Sequence, residues 1–260
     1  MNDSTPARSR KRARFNTQAF GIFGAAAFIY LAFGLLNPRF LGFDNLRDVA
    51  VSACVNALIG LGMTFVIITG GIDLSVGSIA SFSGIVAAQL MVAYQVPSTV
   101  ALVLGLAVGF VCGLVNGVLV AIVRLPPFIA TLGTMSVYQG LAYVVTNGIP
   151  VYNVPDDFVV ILNGYIGGVP TSVLVVVIVA VLCWLLLRRT VFGQNVIATR
   201  GSEETAWLSG VRVNRVKILV YGISGLLASL GGLIVVARIS AAQSEAGAPR
   251  AVHGSLAAGA

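Results

Sequence analysis

The polar run at residues 70–78, Gly-Gly-Ile-Asp-Leu-Ser-Val-Gly-Ser, lies between two long apolar segments and places one acid, Asp73, at their junction. A charged side chain close to hydrocarbon costs about 3 kcal/mol, so such acids usually face a cavity or a partner group. Asp73 could exchange protons, line a polar path or brace a break between two helices. It could also simply cap a helix beginning at residue 74, because aspartate accepts hydrogen bonds from the free N–H groups of a first turn.

A second candidate site lies in the polar segment 188–215. Ser202 is a typical helix N-cap, two glutamates follow where the helix dipole favours anions, and a glycine can end the helix eight residues later. The pattern predicts a short helix of about two turns at the membrane surface, either a passive interfacial element or a contact for a soluble partner. Ala206, Trp207 and Leu208 would give this helix an apolar surface, while the two glutamates and the flanking arginines keep it solvated.

The sequence gives little support for metal, redox or acid–base chemistry. Cys54, Cys112 and Cys183 all lie in apolar segments without the paired spacing of a zinc site or a disulfide framework, so we expect small buried hydrophobes. The apolar segments contain no histidine, no glutamate and no paired carboxylates. The sequence therefore predicts no metal, and a membrane enzyme is the least favoured function.

Composition decides which elements must position these residues. The chain is 57% hydrophobic and 10% charged, with a mean hydropathy of +0.95, whereas a soluble domain is about 25% charged. Lipid offers the backbone no hydrogen-bond partners, so apolar segments of this length are expected to be helices. We predict an all-α polytopic transmembrane bundle of about seven spans, at 18–36, 49–69, 74–95, 98–123, 128–146, 171–187 and 216–237.

The basic residues predict the orientation. With a cytoplasmic N-terminus and seven spans, the sixteen Lys and Arg residues divide twelve inside to four outside, as the positive-inside rule requires. The net charge of +7 is thus explained by topology and not by nucleic acid. The predicted organisation is a basic N-terminus at 1–17, a membrane domain at 18–237 with the inner loop 188–215, and a tail at 238–260.

Two further patterns concern packing and the outer surface. Gly105, Gly109, Gly113 and Gly117 recur every four residues, which predicts a ridge for close helix contact. The loop 147–170 is rich in turn formers, and we expect either a solvated connector or a contact for an extracytoplasmic partner.

Four segments together resemble the permease subunit of bacterial ATP-binding-cassette importers for monosaccharides, the ribose, xylose and galactose type. The resemblance covers about residues 15–245, and its most specific part is the Gly-Gly-Ile-Asp-Leu-Ser-Val-Gly run. The segments are 37–41, 62–78, 126–135 and 192–210.

The resemblance implies an importer subunit in the bacterial inner membrane that is not itself an enzyme. It implies an ATPase partner that binds ATP, a solute-binding protein that delivers the sugar, and a second permease copy, identical or similar; this chain would need no cofactor. Importers of this kind carry a Glu-Ala-Ala-x-x-x-Gly docking loop, and residues 204–210 fit with threonine in the middle place. The resemblance thus implies that this helix sits in a groove of the ATPase. The residues expected to couple to the ATPase are Glu203, Glu204, Ala206 and Gly210.

The resemblance also implies a path for a neutral sugar, which hydroxyl and amide groups suit better than charges. The candidate path residues are Asp73, Ser75, Ser78, Asn56, Asn116, Thr131 and Gln139.

Two alternatives stay open. A proton-coupled secondary carrier would use Asp73 as the titrating group, but the scarcity of other ionisable groups in the spans disfavours it. Relatives of this type continue with further spans, whereas residues 248–260 form no span, so a truncated, non-functional permease is the other expectation.

Overall fold

The computed structural model describes residues 17–243, which are mainly helical, and so confirms the all-α prediction. The helices are α1 Thr17–Leu36, α2 Phe43–Ile68, α3 Val76–Val92, α4 Ser98–Ala121, α5 Pro127–Thr146, α6 Asp156–Asn163, α7 Thr171–Arg189, α8 Val191–Thr199, α9 Glu203–Leu208 and α10 Val213–Ile239. A 3-10 helix spans Pro38–Leu41, and four two-residue strands are β1 Val151–Tyr152, β2 Tyr165–Ile166, β3 Val169–Pro170 and β4 Ala241–Ala242.

A helix falls on each of the seven predicted spans. Among the described residues, five helices are long and apolar enough to cross a membrane, namely α2, α4, α5, α7 and α10. The segment 74–95 forms the shorter apolar helix α3, which has 17 residues, and the segment 18–36 falls on α1. The predicted basic N-terminus and most of the tail lie outside the described residues.

The described residues divide into two compact units, the first ending at residue 48 and the second beginning at residue 49. In the first unit, α1 is followed by the 3-10 helix, whose N-cap Asn37 accepts a hydrogen bond from the Arg39 N–H at 3.1 Å. The ring of Phe40 packs against Tyr30 and Phe33, with centroids 5.2 and 5.7 Å apart. These contacts turn the chain from α1 towards α2.

Helix α10 is the central helix of the second unit and is mostly buried. The glycine ridge of α4 packs against it: a Cβ on Gly109 or Gly113 would collide with Gly225, Ser229 or Tyr221 of α10. The hydroxyl of Ser229 donates to the Gly105 carbonyl at 2.8 Å, which closes the same contact. The predicted small-residue ridge is confirmed as the packing seam between α4 and α10.

The loop 147–170 is folded and packs onto the bundle through a few buried side chains, while more than half of its residues stay exposed, so it is a structured connector with a solvated surface. Strand β1 pairs antiparallel with β4, which directly follows α10. Phe158 and Leu162 of α6 are buried in the apolar core, and the Ser98 hydroxyl donates to the Asp157 carboxylate at 2.8 Å. An amphipathic α6 and one cross-strand pair therefore close this end of the bundle.

Candidate functional site

The run at 70–78 forms a tight turn between α2 and α3. Gly70 has φ of +75°, a conformation that glycine adopts without steric cost. At Gly71 a Cβ would lie 2.6 Å from the Tyr221 hydroxyl, so the turn can approach α10 only without a side chain there. The two glycines are thus needed for backbone conformation and close approach, and they place Asp73 inside the bundle.

Asp73 lies at the centre of this turn with only 1% of its surface exposed. Its Oδ1 accepts hydrogen bonds from the Ser75 backbone N–H at 3.0 Å and from the Ser75 hydroxyl at 2.7 Å. Its Oδ2 accepts from the Ser224 hydroxyl of α10 at 3.2 Å. Both carboxylate oxygens are therefore engaged, and within residues 17–243 the carboxylate forms no ion pair.

The prediction that Asp73 caps a helix beginning at 74 is wrong. Helix α3 begins at Val76 and its N-cap is Ser75, whose side chain makes no capping bond. Asp73 instead bonds the N–H two residues on, the Asx-turn pattern, and so fixes the turn that precedes the helix.

The hydrogen bonds continue from Ser75 into α4 and α5. The Asn116 amide of α4 donates to the Ser75 hydroxyl at 2.6 Å. The Tyr138 hydroxyl of α5 donates to the Cys112 carbonyl at 2.9 Å and lies 3.4 Å from the Asn116 side-chain oxygen. We call the set Asp73, Ser75, Asn116, Tyr138 and Ser224 the Asp73 network.

Two further bonds hold the backbone of the turn. The Leu74 N–H donates to the Thr131 hydroxyl of α5 at 3.2 Å, and that hydroxyl donates to the Pro127 carbonyl at 2.8 Å. The Tyr221 hydroxyl of α10 donates to the Ile72 carbonyl at 3.2 Å. The turn is consequently tied to α4, α5 and α10 at once.

The structure brings together some of the predicted path residues and not others. Asp73, Ser75, Asn116 and Thr131 meet at the turn, and the Ser78 hydroxyl donates to the Ser75 carbonyl at 2.8 Å. The remaining two lie apart: they are Asn56, exposed on α2, and Gln139, half-buried on α5.

Sequence reasoning missed three members of the site. Tyr138 had a usable signal, since it follows Thr131 by seven residues and therefore lies on the same helix face. Ser224 and Tyr221 had none, because their contacts with the turn join residues about 150 positions apart.

Helix α9 has the start and the end that the sequence predicts. The Ser202 hydroxyl accepts from the Thr205 N–H at 3.2 Å, and Gly210 has φ of +84°, a left-handed conformation beyond the helix end. Ala206 is buried against the protein, and Glu203 forms an ion pair with Lys217 of α10. These contacts fasten the short helix to the first turns of α10.

The opposite face of α9 is free within the described part of the chain. Trp207 and Leu208 are 67% and 73% exposed, and the Glu204 side chain is exposed beside them. An apolar pair of this size on a two-turn helix is typical of a surface that contacts a partner or the membrane interface. Of the predicted contact residues, Glu204 belongs to this face, whereas Ala206 faces the bundle.

The described residues contain no cluster of three His, Cys, Asp or Glu side chains able to hold a metal. Cys54 and Cys112 are buried and Cys183 is half-buried, and all three are free thiols. Their placement agrees with the role of small hydrophobes expected from the sequence.

Fold and site together define a multi-pass helical membrane protein with the buried Asp73 network between its helices and the short helix α9 at its surface. The family model described as "Branched-chain amino acid transport system / permease component" matches residues 45–257. The chain belongs to the permease subunits of ATP-binding-cassette importers, within which its relatives are sugar permeases. Such subunits are not enzymes, since ATP hydrolysis occurs in a separate ATPase.

Three relatives illustrate the similarity. The ribose import permease protein RbsC of Bacillus subtilis (strain 168) is 39% identical over 242 residues, 92% of this chain and 75% of the relative. RbsC of Escherichia coli (strain K12) is 44% identical over 217 residues, 82% of this chain and 67% of the relative. The D-allose transport system permease protein AlsC of Escherichia coli (strain K12) is 39% identical over 229 residues, 88% and 70% of the two chains. No solved structure matches the chain.

Proposed function

We propose that this chain forms the membrane path of a monosaccharide importer driven by ATP hydrolysis on a partner ATPase. A solute-binding protein delivers the sugar outside, and a second permease copy, identical or similar, completes the path. The chain itself needs no cofactor. The observation that supports this most directly is the α9 geometry, a short helix fastened to α10 on one side and exposing Trp207 and Leu208 on the other.

The contacts of α9 suggest how force from an ATPase would reach the membrane. A partner that binds the exposed face of α9 and shifts this helix would shift α10 with it. The reason is that buried Ala206 and the Glu203–Lys217 ion pair hold the two helices together. Helix α10 in turn contacts the α2–α3 turn through Ser224 and Tyr221. Coupling in this sense requires the ATPase to bind two permease conformations with different affinity.

Within this scheme, we assign Asp73 the role of a brace. Both of its carboxylate oxygens accept hydrogen bonds and its side chain is almost fully buried, so little of it is left to contact a solute. A proton relay normally links several ionisable groups, whereas the carboxylate here is bonded to serine hydroxyls and a backbone N–H. These contacts favour bracing over the proton-coupled carrier.

The sugar class rests on the relatives, whose names specify ribose and D-allose. Both are neutral polyols, for which hydroxyl and amide groups are suitable partners. Of the candidate path residues, Asn56 and Gln139 retain exposed or half-exposed polar side chains. We therefore propose these two, rather than the buried network, as residues that face the path.

The charge distribution supports a cytoplasmic position for α9, and with six predicted spans between them we propose the same side for the N-terminus. Within residues 49–243, seven of the eight basic residues lie at the end of the bundle that carries α9, and only Arg238 lies at the opposite end. The positive-inside rule assigns the end rich in Lys and Arg to the cytoplasm.

The deciding experiment is sugar-dependent ATPase activity in liposomes that contain this chain, its cognate ATPase and its binding protein. We expect the sugar-loaded binding protein to stimulate the wild type and Glu204→Ala to lose most of that stimulation. Arg189→Ala serves as a control, because it removes an exposed charge at the end of α7, at the same end of the bundle as α9 but outside that helix.

Each other outcome contradicts a separate part of the proposal. Failure of the ATPase to co-purify with the wild-type chain would contradict the docking role of α9. Association without any stimulation by the tested pentoses and hexoses would contradict sugar import and agree with a non-functional permease. Equal loss in the two variants would show that the effect of Glu204 is not specific to α9.

A further inference from the structure

We propose that the cavity between α9 and the α4–α5 connection binds a phosphate-bearing anion. The cavity has a volume of about 910 Å³ and is formed by the end of α4, the start of α5, α9 and the start of α10. Glu204 and Trp207 line this cavity and also belong to the face of α9 that we assign to the ATPase, so the test below is made without the ATPase. Its basic lining residues are Arg124, Arg212, Arg215 and Lys217.

The charges around this cavity do not balance. Glu203 and Glu204 also line it, but Glu203 is paired with Lys217. Glu204 is then the single unpaired acid facing three arginines, and in the described part of the chain no acidic side chain pairs with any of the three. The positive-inside rule explains basic residues at this end of the bundle, yet it does not require three of them to line one cavity.

The chemistry of these groups fits phosphate. The guanidinium group is planar and presents paired N–H donors that match phosphate oxygens, which makes arginine suited to bidentate recognition. Arg212 and Arg215 lie three residues apart at the start of α10, and Arg124 reaches the cavity from another connection. A ligand held by all three would bridge α10 and the α4–α5 connection.

The position of the cavity suggests where the phosphate comes from. Gly70, Val120 and Ala121, at or next to the ends of α2 and α4, also line it, so it lies at the ends of membrane-spanning helices, where we place the headgroup region. Trp207, a residue type enriched at membrane interfaces, lines it as well. Basic pockets between spans on the cytoplasmic side bind anionic headgroups. The same site could also take a soluble phosphate ester from the cytoplasm.

The test measures binding to the purified full chain in detergent by native mass spectrometry, without the ATPase, so its result is independent of the importer function. The probes are phosphatidylglycerol, phosphatidylcholine and soluble glycerol 3-phosphate. We expect saturable binding of phosphatidylglycerol that exceeds that of phosphatidylcholine. At roughly fivefold per arginine near an anionic headgroup, Arg212→Gln with Arg215→Gln should weaken binding about 25-fold.

The matched control is Arg188→Gln with Arg189→Gln, which removes two charges at the same end of the bundle but outside the cavity lining. We expect less than a twofold change for this pair. Arg212→Lys with Arg215→Lys keeps the charge and removes the bidentate geometry. It should give a loss between those of the other two pairs, and it stands in for the glutamine pair if that pair fails to fold.

Two results would overturn the proposal. The first is an equal loss of phosphatidylglycerol affinity in the cavity pair and the control pair, which would indicate an effect of general surface charge. The second is binding of phosphatidylcholine as tight as that of phosphatidylglycerol, together with no binding of glycerol 3-phosphate. Saturable binding of glycerol 3-phosphate that is lost in the cavity pair would support the site and identify a soluble ligand as its source.

Discussion

Substitution of Asp73 separates a structural brace from a group that exchanges protons. Asp73→Ala removes the acceptor of three hydrogen bonds in a buried site. Leaving the buried Ser75 backbone N–H without an acceptor costs about 1–3 kcal/mol. Loss of the hydrogen bonds from the Ser75 and Ser224 hydroxyls adds about 1 kcal/mol each. We therefore expect the free energy of unfolding to fall by about 3–5 kcal/mol.

Asp73→Asn should have a much smaller effect. The amide oxygen can replace Oδ1 and accept both bonds from Ser75, so only the contact of Oδ2 with Ser224 changes. The expected loss is about 1 kcal/mol. Because asparagine does not titrate, this variant should keep most sugar transport if Asp73 is a brace, and lose it if Asp73 carries a proton.

The chain supplies its own probe for the stability measurement. Cys54 and Cys112 are buried and free, so a thiol-reactive dye reports thermal unfolding of the detergent-purified protein as these side chains become accessible. Asp156→Ala, an exposed acid, is the control and should shift the transition very little. An Asp73→Asn protein that unfolds like the wild type but transports no sugar would refute the assignment of Asp73 as a structural brace.

The same assay checks two smaller predictions, and limited proteolysis checks a third. Gly113→Ala should destabilise by about 1–3 kcal/mol, because its Cβ would overlap the backbone of α10, whereas Gly133→Ala enters open space and should not destabilise. Tyr138→Phe should cost about 1 kcal/mol through loss of its bond to the Cys112 carbonyl. Ser202→Ala removes the α9 cap; we expect faster proteolysis near α9 with little change in the global transition, and an unchanged cleavage rate would argue against the cap.

The sequence by itself determined the features that depend on composition and on local chemistry. Long apolar segments had to become helices because lipid leaves no other partner for their backbone groups. Helix α9 begins after its N-cap Ser202 and ends before the left-handed Gly210, and both signals act within a few residues. The four-residue spacing of Gly109 and Gly113 also predicted a close helix contact, although not which helix would fill it.

Only the tertiary structure decided the roles of the side chains at the site. Asp73 reads locally as a helix cap, and its actual partners include Ser224, 151 residues further along the chain. Asn56 and Asn116 are chemically alike and both lie in apolar segments, yet one is exposed and the other is completely buried against Ser75. The physical reason is that the direction of a polar side chain in a bundle depends on which neighbouring helix packs against it.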